Sequence, residues 1–241
     1  MDERVYDKMF ERESSFWWHL GMKKFLKVML DRYLPNLTNN LILDAGCGTG
    51  GFFDILNSYG QVHGVEANPK AVAYAQKRKL AAVVCANIEK LPFAGGRFDV
   101  VVCHDVLYHQ LVDEQLALKE FYRVLRPGGI LLIKEPAFSW LYSSHDRLVW
   151  AKHRYTRKEL SKKLVNNKFH ILKASYLIFF LFPLALARRL IDRLFTSPIF
   201  PEKLFYSPLS FMLKYFLYWE AWLLKYFNFP FGLSVICLAK K

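Results

Sequence analysis

The sequence predicts an α/β fold built on a mostly parallel, seven-stranded sheet with helices on both faces. Three observations support this prediction. Short runs rich in Val, Ile and Leu alternate with helix-like segments along residues 38–135. These runs are apolar at consecutive positions, as in strands that helices cover from two sides. Glycine and proline mark the turns between the two kinds of segment.

The predicted elements follow one another in a regular order. An N-terminal helix over residues 15–34 ends before Pro35. Five strands follow, over residues 41–46, 61–67, 80–86, 97–104 and 129–135. Helices are predicted near residues 51–58, 69–78 and 112–125. Two further strands, over residues 169–175 and 233–239, bring the sheet to seven.

These elements divide the chain into three predicted parts. Residues 1–37 form an N-terminal helical cap, and residues 38–175 together with 231–241 form the core. Residues 176–230 form an apolar, basic helical insertion where a sheet would normally close with a short connection. The uncharged run ASYLIFFLFPLALA, at the start of this insertion, is shorter than the roughly 20 residues that span a bilayer.

The charge of the chain is unevenly distributed. Residues 151–241 carry 16 Lys and Arg against 4 Asp and Glu, a net charge of +12, and they hold 20 of the 40 aromatic side chains. This composition predicts an anionic partner: nucleic acid, a membrane surface or an anionic substrate. Scattered cysteines and a charged start without an apolar run favour a cytoplasmic protein, peripheral at the inner face of the membrane.

The segment LILDAGCGTG, residues 41–50, predicts a ligand site. An apolar strand ends at Asp44 and enters a turn of three glycines that begins at Gly46. The turn lacks the lysine of the phosphate-binding pattern GxxxxGK[ST]. Glu66 ends the next strand, where a carboxylate can accept hydrogen bonds from both hydroxyls of a ribose. The pattern therefore predicts an adenosine-bearing ligand.

Five segments form an ordered set: LILDAGCGTG, GVEANPKAVAYA, NIEKLPF, RFDVVVCHDVLYHQ and EFYRVLRPGGILLI. In order and spacing they resemble the class I S-adenosylmethionine-dependent methyltransferases, whose fold is Rossmann-like. The resemblance implies S-adenosylmethionine as the cofactor, S-adenosylhomocysteine as the product, and no metal. The chain is also similar to a subgroup with WW near the N-terminus and PA…HD…RYT after strand five.

The resemblance implies roles for individual residues. Asp44 and the backbone of Gly46 and Gly48 would face the methionine part of the cofactor, and Glu66 would bind the ribose. The residues implied around the adenine and the methyl-transfer site are Ala67, Asn87, Ile88 and Cys103. The family more often has Asp at the Asn87 position, and either side chain can accept the hydrogen bond of the adenine amine.

Methylation of a hydroxyl also needs a base, and histidine has a pKa near the working pH. The candidates after strands four and five are His104, His109 and His145. The residues predicted to contact the acceptor or to close over the site are Asp146, Arg154, Tyr155 and Trp18. Arg154 could grip a carboxylate or phosphate, or it could form a structural ion pair.

The predicted function is O-methylation of a small-molecule, saccharide or lipid-linked acceptor by in-line methyl transfer. The insertion is interpreted as a helix in an anionic membrane interface, as a buried cap or homodimer contact, or as a membrane hairpin. An RNA methyltransferase is a second hypothesis, disfavoured because the basic residues lie among large aliphatic side chains. A cofactor-binding regulator without turnover is a third, and a nicotinamide dehydrogenase is a fourth.

Overall fold

The computed structural model describes residues 3–34, 36–187 and 208–241 of the chain. Seven strands form one sheet: β1 Asn40–Ala45, β2 Gly60–Glu66, β3 Ala82–Cys85, β4 Phe98–His104, β5 Leu125–Pro136, β6 His170–Leu177 and β7 Ser234–Lys240. Their order across the sheet is β3-β2-β1-β4-β5-β7-β6. Strands β1 to β5 pair in parallel, whereas β7 pairs antiparallel with both of its neighbours. This arrangement confirms the predicted mostly parallel, Rossmann-like sheet.

Helices connect the strands. They are α1 Glu3–Arg12, α2 Trp17–Tyr33, α3 Phe53–Leu56, α4 Pro69–Lys77, α5 Glu114–Val124, α6 Ser144–Leu148, α7 Arg157–Asn166, α8 over residues 182–187 and α9 Pro208–Leu223. Local sequence determines several of their starts. Asn68 caps α4 by accepting hydrogen bonds from two backbone N–H groups, and Thr156 with Glu159 forms a capping box at α7.

Strand β4 shows that both faces of the sheet are covered. Val100, Val101 and Val102 are all fully buried, although neighbouring side chains of a strand point to opposite faces. Strands that are apolar at consecutive positions therefore lie inside the fold, as the sequence pattern predicts. Each Å² of apolar surface buried in this way stabilises the fold by roughly 25 cal/mol.

Several element boundaries differ from the predicted ones. Strand β5 begins at Leu125 rather than at residue 129, because Leu125 already pairs with Phe98 of β4 before the register shifts. Strand β6 extends to Leu177, two residues farther than predicted. The predicted helix end at Pro35 and residues 188–207 of the predicted insertion lie outside the described residues.

The described part of the predicted insertion includes α8 and α9, and α9 packs against α2 of the N-terminal cap. The two helices approach closely at Gly21, where a Cβ atom would lie 2.2 Å from Cδ1 of Leu217. Within the described residues, no helix combines the length and the hydropathy needed to cross a bilayer.

Candidate active site

The turn after β1 lies at the carboxyl edge of the sheet. Gly46, Gly48 and Gly50 have φ angles of +79°, +54° and +79°, a region that residues with side chains rarely adopt. A Cβ atom on Gly46 would lie 2.4 Å from Cγ2 of Val106, so this position also lacks room for a side chain. The glycines therefore form a turn whose backbone a ligand can approach closely.

Glu66 lies at the end of β2, beside the glycine turn. Its carboxylate accepts hydrogen bonds from the backbone N–H of Gly48 at 3.1 Å and of Asn68 at 2.9 Å. Burial raises the pKa of this carboxyl above its usual value, and the two N–H donors oppose the rise. A carboxylate has about four acceptor sites, so it can still accept hydrogen bonds from a ribose. The position of Glu66 fits its predicted role, which stays a prediction.

Asp44 in β1 is buried next to the same turn. Its Oδ2 atom has no hydrogen-bond partner in the described part of the chain, although the residue is only 1% exposed. Burial, together with the negative charges of Glu13 and Glu66, raises the pKa of Asp44 to about 8. An unpaired buried carboxylate is unfavourable, and a cationic group of a ligand would relieve this penalty. The turn therefore fits a ligand with a ribose and a positive charge, as S-adenosylmethionine has.

The raised pKa of Asp44 predicts a pH dependence of ligand binding. Below its pKa of about 8 the carboxyl is mostly protonated, whereas an ammonium group binds better to the ionised form. The ionised fraction of Asp44 rises about fiftyfold from pH 6 to pH 8, and we expect the affinity for S-adenosylhomocysteine to rise by up to this factor. Calorimetric titration of the wild type and of Asp44→Asn measures this change, and only the wild type should show it. Identical pH profiles would assign the dependence to another group.

The residues predicted around the adenine lie where β2 and β3 end. The backbone N–H of Ala86 donates to the carbonyl oxygen of Glu66 at 3.1 Å and holds the two strand ends together. Ala67 and Asn87, one residue farther along, are exposed, and Ile88 is buried. The structure thus brings Ala67, Asn87 and Ile88 to the edge occupied by Glu66, and their contacts with the adenine stay predictions.

The N-terminal cap also borders this site, a contact that the sequence pattern did not predict. Oγ1 of Thr49, in the glycine turn, donates a hydrogen bond to the carboxylate of Glu13 at 2.5 Å, and Arg78 pairs with that carboxylate at 2.8 Å. Tyr6 of α1 is buried near Glu66. Burial and this negative charge raise the pKa of Tyr6 to about 12. Helix α1 and the residue after it therefore cover the glycine turn.

A cavity of about 360 Å³ lies at the carboxyl ends of β4 and β5. Three predicted substrate residues line it: Trp18, Asp146 and Arg154. Residues that were not predicted also line it, among them Asp105, Tyr108 and Lys134. Val106 follows Asp105 and packs against Gly46, so the cavity and the glycine turn share a wall. This cavity is the candidate acceptor site.

Asp105 and Lys134 form an ion pair in the wall of this cavity. Nζ of Lys134 donates to Oδ2 of Asp105 at 2.6 Å, and Nδ1 of His104 lies 3.3 Å from the same oxygen. Burial acts to raise the pKa of Asp105, but the charge of Lys134 and its hydrogen bond hold it below its usual value. Asp105 also has a φ angle of +57°, which a residue with a side chain rarely adopts. Among the described residues, no group of three or more His, Cys, Asp or Glu is placed to hold a metal ion.

Glu135 holds the segment that follows β4. Its fully buried carboxylate accepts hydrogen bonds from the backbone N–H of Val106 at 3.1 Å, Leu107 at 2.8 Å and Tyr108 at 3.3 Å. Burial, followed by the charge of Asp105, raises the pKa of Glu135 to about 8. One side chain on β5 thus fixes the segment that follows Asp105 and includes Tyr108, and both of these residues line the cavity.

The predicted catalytic histidines differ in their surroundings. Burial, with the charge of Lys134, lowers the pKa of His104 to about 3, so its imidazole is neutral and a weak base. Nδ1 of His109 lies 2.7 Å from the carbonyl oxygen of Val149, and this contact assigns the proton to Nδ1 in the neutral ring. His145 belongs to α6, and its side chain lies outside the described part of the structure. A catalytic role for any of the three stays a prediction.

Two predicted site residues are completely buried. Cys103 is the penultimate residue of β4, and burial raises the pKa of its thiol well above the usual value. The hydroxyl of Tyr155 donates to the carbonyl oxygen of Leu107 at 3.2 Å and lies 2.8 Å from a carboxylate oxygen of Glu114. Neither residue lines the cavity, and their predicted roles toward cofactor and substrate remain predictions.

Asp146 and Arg154 form a buried two-point ion pair. Nε and Nη2 of Arg154 donate to the two carboxylate oxygens of Asp146 at 2.8 and 3.0 Å, and Nη1 donates to the carbonyl oxygen of Ala137 at 3.1 Å. This geometry corresponds to the structural ion pair that the sequence left open for Arg154. Both side chains still line the cavity, and their contact with an acceptor stays a prediction.

The comparisons with known proteins identify the family. A family model described as a methyltransferase domain matches residues 43–133, which include the glycine turn, Glu66 and most of β5. The chain is 36% identical over 115 residues to the malonyl-[acyl-carrier protein] O-methyltransferase of Herminiimonas arsenicoxydans, covering 46% of this chain and 43% of that protein. The chain therefore carries a methyltransferase domain, in agreement with the predicted resemblance to the class I S-adenosylmethionine-dependent methyltransferases.

Two further comparisons, one of sequence and one of fold, also find methyltransferases. It is 38% identical over 151 residues to the human protein named probable tRNA methyltransferase 9B, covering 61% of this chain and 31% of that protein. Its fold matches the crystal structure of an S-adenosylmethionine-dependent methyltransferase from Thermotoga maritima with a TM-score of 0.63 and 18% identity, over 99% of this chain and 95% of that chain. The methyltransferase spans less than half the length of the two curated relatives.

Proposed function

We propose that this methyltransferase moves the methyl group of S-adenosylmethionine to a hydroxyl oxygen of a small-molecule, saccharide or lipid-linked acceptor. The observation that supports this most is the shared wall between the two candidate sites. Val106 packs against Gly46 of the cofactor turn, and Asp105 beside it lines the acceptor cavity. An acceptor in this cavity would lie next to the predicted cofactor site, as in-line transfer requires.

The residues of the chain would have separate tasks. The glycine turn, Asp44 and Glu66 would hold S-adenosylmethionine, which supplies a methyl group activated by a sulfonium. The aromatic side chains in the cavity wall, including Trp18 and Tyr108, would exclude water from the acceptor.

Asp105 would orient the acceptor hydroxyl and receive its proton. Because Lys134 and His104 lie at Oδ2, the other oxygen, Oδ1, would accept the hydrogen bond of that hydroxyl. A hydroxyl becomes strongly acidic as its oxygen gains a methyl group, so a carboxylate with a low pKa suffices to take the proton.

Radiolabelled methyl transfer to fractionated membranes and soluble extract of the source cell tests this proposal. We expect label in an acceptor that bears hydroxyl groups, in a form that resists alkali, as a methyl ether does. Glu66→Ala should lose this labelling at a low concentration of S-adenosylmethionine. Label released by mild alkali would indicate a carboxyl ester and would contradict O-methylation of a hydroxyl.

RNA methylation is the second candidate. The likeness to the protein named probable tRNA methyltransferase 9B supports it, together with the net charge of +12, from 16 basic and 4 acidic side chains, over residues 151–241. In that case the label would disappear on ribonuclease treatment, and RNA affinity would fall steeply with added salt.

A further inference from the structure

Helix α9 is fixed to the body of the protein by one face. Leu217, Ala221 and Leu224 are fully buried on this face, and Leu217 packs at Gly21 of α2. The buried carboxylate of Glu220 accepts hydrogen bonds from backbone N–H groups in the segment after β6, at 2.5 and 3.2 Å. These contacts determine which face of α9 points away from the protein.

The opposite face of α9 is an exposed stripe of five aromatic residues and one methionine. Its members recur every three or four residues, which places them on one side of a helix. They are Met212, Tyr215, Phe216, Trp219, Trp222 and Tyr226, the last just beyond the helix. Trp219 and Trp222 expose 51% and 49% of their surface. Contiguous apolar patches of this kind on a protein surface usually mark an interaction site.

The stripe continues toward the acceptor cavity through a chain of ring contacts. The successive pairs are Trp219–Phe180 at 4.8 Å, Phe180–Phe179 at 5.2 Å, Phe179–Phe231 at 4.6 Å, Phe231–Phe182 at 5.1 Å and Phe182–Trp140 at 6.1 Å between ring centroids. Leu233, two residues after Phe231, lines the cavity. The stripe and this ring chain, hereafter the aromatic surface, therefore extend from α9 to within two residues of the cavity wall.

Lysines accompany the aromatic surface. Nζ of Lys214 lies 5.2 Å from the ring centroid of Tyr215, and Nζ of Lys24 on α2 lies 5.6 Å from that of Tyr218. Lys225 follows the helix and is partly exposed. Tryptophan and tyrosine with nearby lysines are typical of the bilayer interface, where the rings lie among headgroups and the ammonium groups face lipid phosphates. The cores of protein–protein interfaces are instead depleted in lysine.

We propose that the aromatic surface binds the headgroup region of an anionic bilayer, and that the acceptor enters the cavity from that bilayer. The second clause rests on the proposed methyl transfer and narrows its acceptor to an amphiphilic, lipid-borne molecule. The first clause concerns binding alone and is independent of catalysis.

Co-sedimentation of the full chain with vesicles tests the binding. We expect vesicles of phosphatidylcholine with phosphatidylglycerol to bind the wild type at least tenfold more tightly than pure phosphatidylcholine vesicles do. The double variant Trp219→Ser, Trp222→Ser should bind the anionic vesicles at least tenfold more weakly. The matched control Trp150→Ser removes an exposed tryptophan that belongs neither to α9 nor to the ring chain, and it should bind as the wild type does.

Three outcomes would overturn this inference. The double variant and the Trp150→Ser control could bind anionic vesicles equally well, or the wild type could fail to bind them. Sedimentation velocity could instead show that the wild type is a dimer and the double variant a monomer. The aromatic surface would then bind a second copy of the chain. Calorimetry with S-adenosylhomocysteine separates the two proposals, because the double variant should retain wild-type cofactor affinity even where vesicle binding is lost.

Discussion

Replacing Glu135 by alanine is expected to lower the free energy of unfolding by about 3 kcal/mol and to abolish methyl transfer. The substitution leaves the N–H groups of Val106, Leu107 and Tyr108 without their buried acceptor. The freed segment carries part of the cavity wall and packs against the glycine turn, so both candidate sites lose their shape. Urea unfolding followed by circular dichroism measures the loss of stability.

Glu135→Gln is the matched control, because it keeps an acceptor oxygen in the same place. We expect its free energy of unfolding to fall by less than half as much as that of Glu135→Ala. The raised pKa of Glu135, about 8, adds a second readout. A carboxyl whose pKa is higher in the folded than in the unfolded state contributes stability at low pH that is lost as the pH rises toward 8. The glutamine variant should lack that decline, and equal stabilities of the alanine variant and the wild type would contradict the role given to Glu135.

Glu66→Ala is expected to weaken the binding of S-adenosylhomocysteine about thirtyfold, or roughly 2 kcal/mol, because hydrogen bonds to a charged carboxylate are lost. Calorimetric titration measures the change. Glu11→Ala, which removes an exposed carboxylate from α1, should leave the affinity unchanged.

A modified ligand shows whether Glu66 acts on the ribose or only on the turn through Gly48. An analogue without the ribose 2′-hydroxyl should bind the wild type more weakly than S-adenosylhomocysteine does. The same analogue should show no such difference with Glu66→Ala, as a double-mutant cycle requires. If loss of the 2′-hydroxyl weakens binding equally in the wild type and in Glu66→Ala, Glu66 does not bind the ribose. This holds even if Glu66→Ala binds S-adenosylhomocysteine weakly.

The sheet and the glycine turn could be predicted because both depend on residues close together in sequence. The periodicity of the apolar runs marks the strands, and the glycines of residues 41–50 mark a turn with positive φ angles. The position of Glu66 beside this turn was predicted from the end of its strand, since parallel strands end at the same edge of a sheet.

The rest of the candidate site could not be predicted, because its contacts join distant parts of the chain. Glu13 meets Thr49 across 36 positions, and Glu135 holds backbone groups 27 to 29 positions away. One signal was available: Lys134 and Glu135 are two charged residues that directly follow the apolar run Ile130–Ile133 of β5. Charged side chains are almost never fully buried unless they have partners. For Arg154 no such signal was available, because an arginine that binds a ligand anion and one that pairs with a carboxylate of the protein look alike in a sequence.

The polar attachment of α1 over the glycine turn affects how a spent nucleoside could leave. Glu13, Thr49 and Arg78 form a small buried latch, whereas the Lys70–Asp7 pair, 2.9 Å apart, is partly open to solvent. Moving α1 away from the turn would break these polar contacts and the ring contact between Phe10 and Tyr74, whose centroids lie 4.7 Å apart. Ionic strength screens the exposed ion pair far more than the buried one. At high ionic strength the contacts of Glu13 would therefore be the stronger polar attachment of α1.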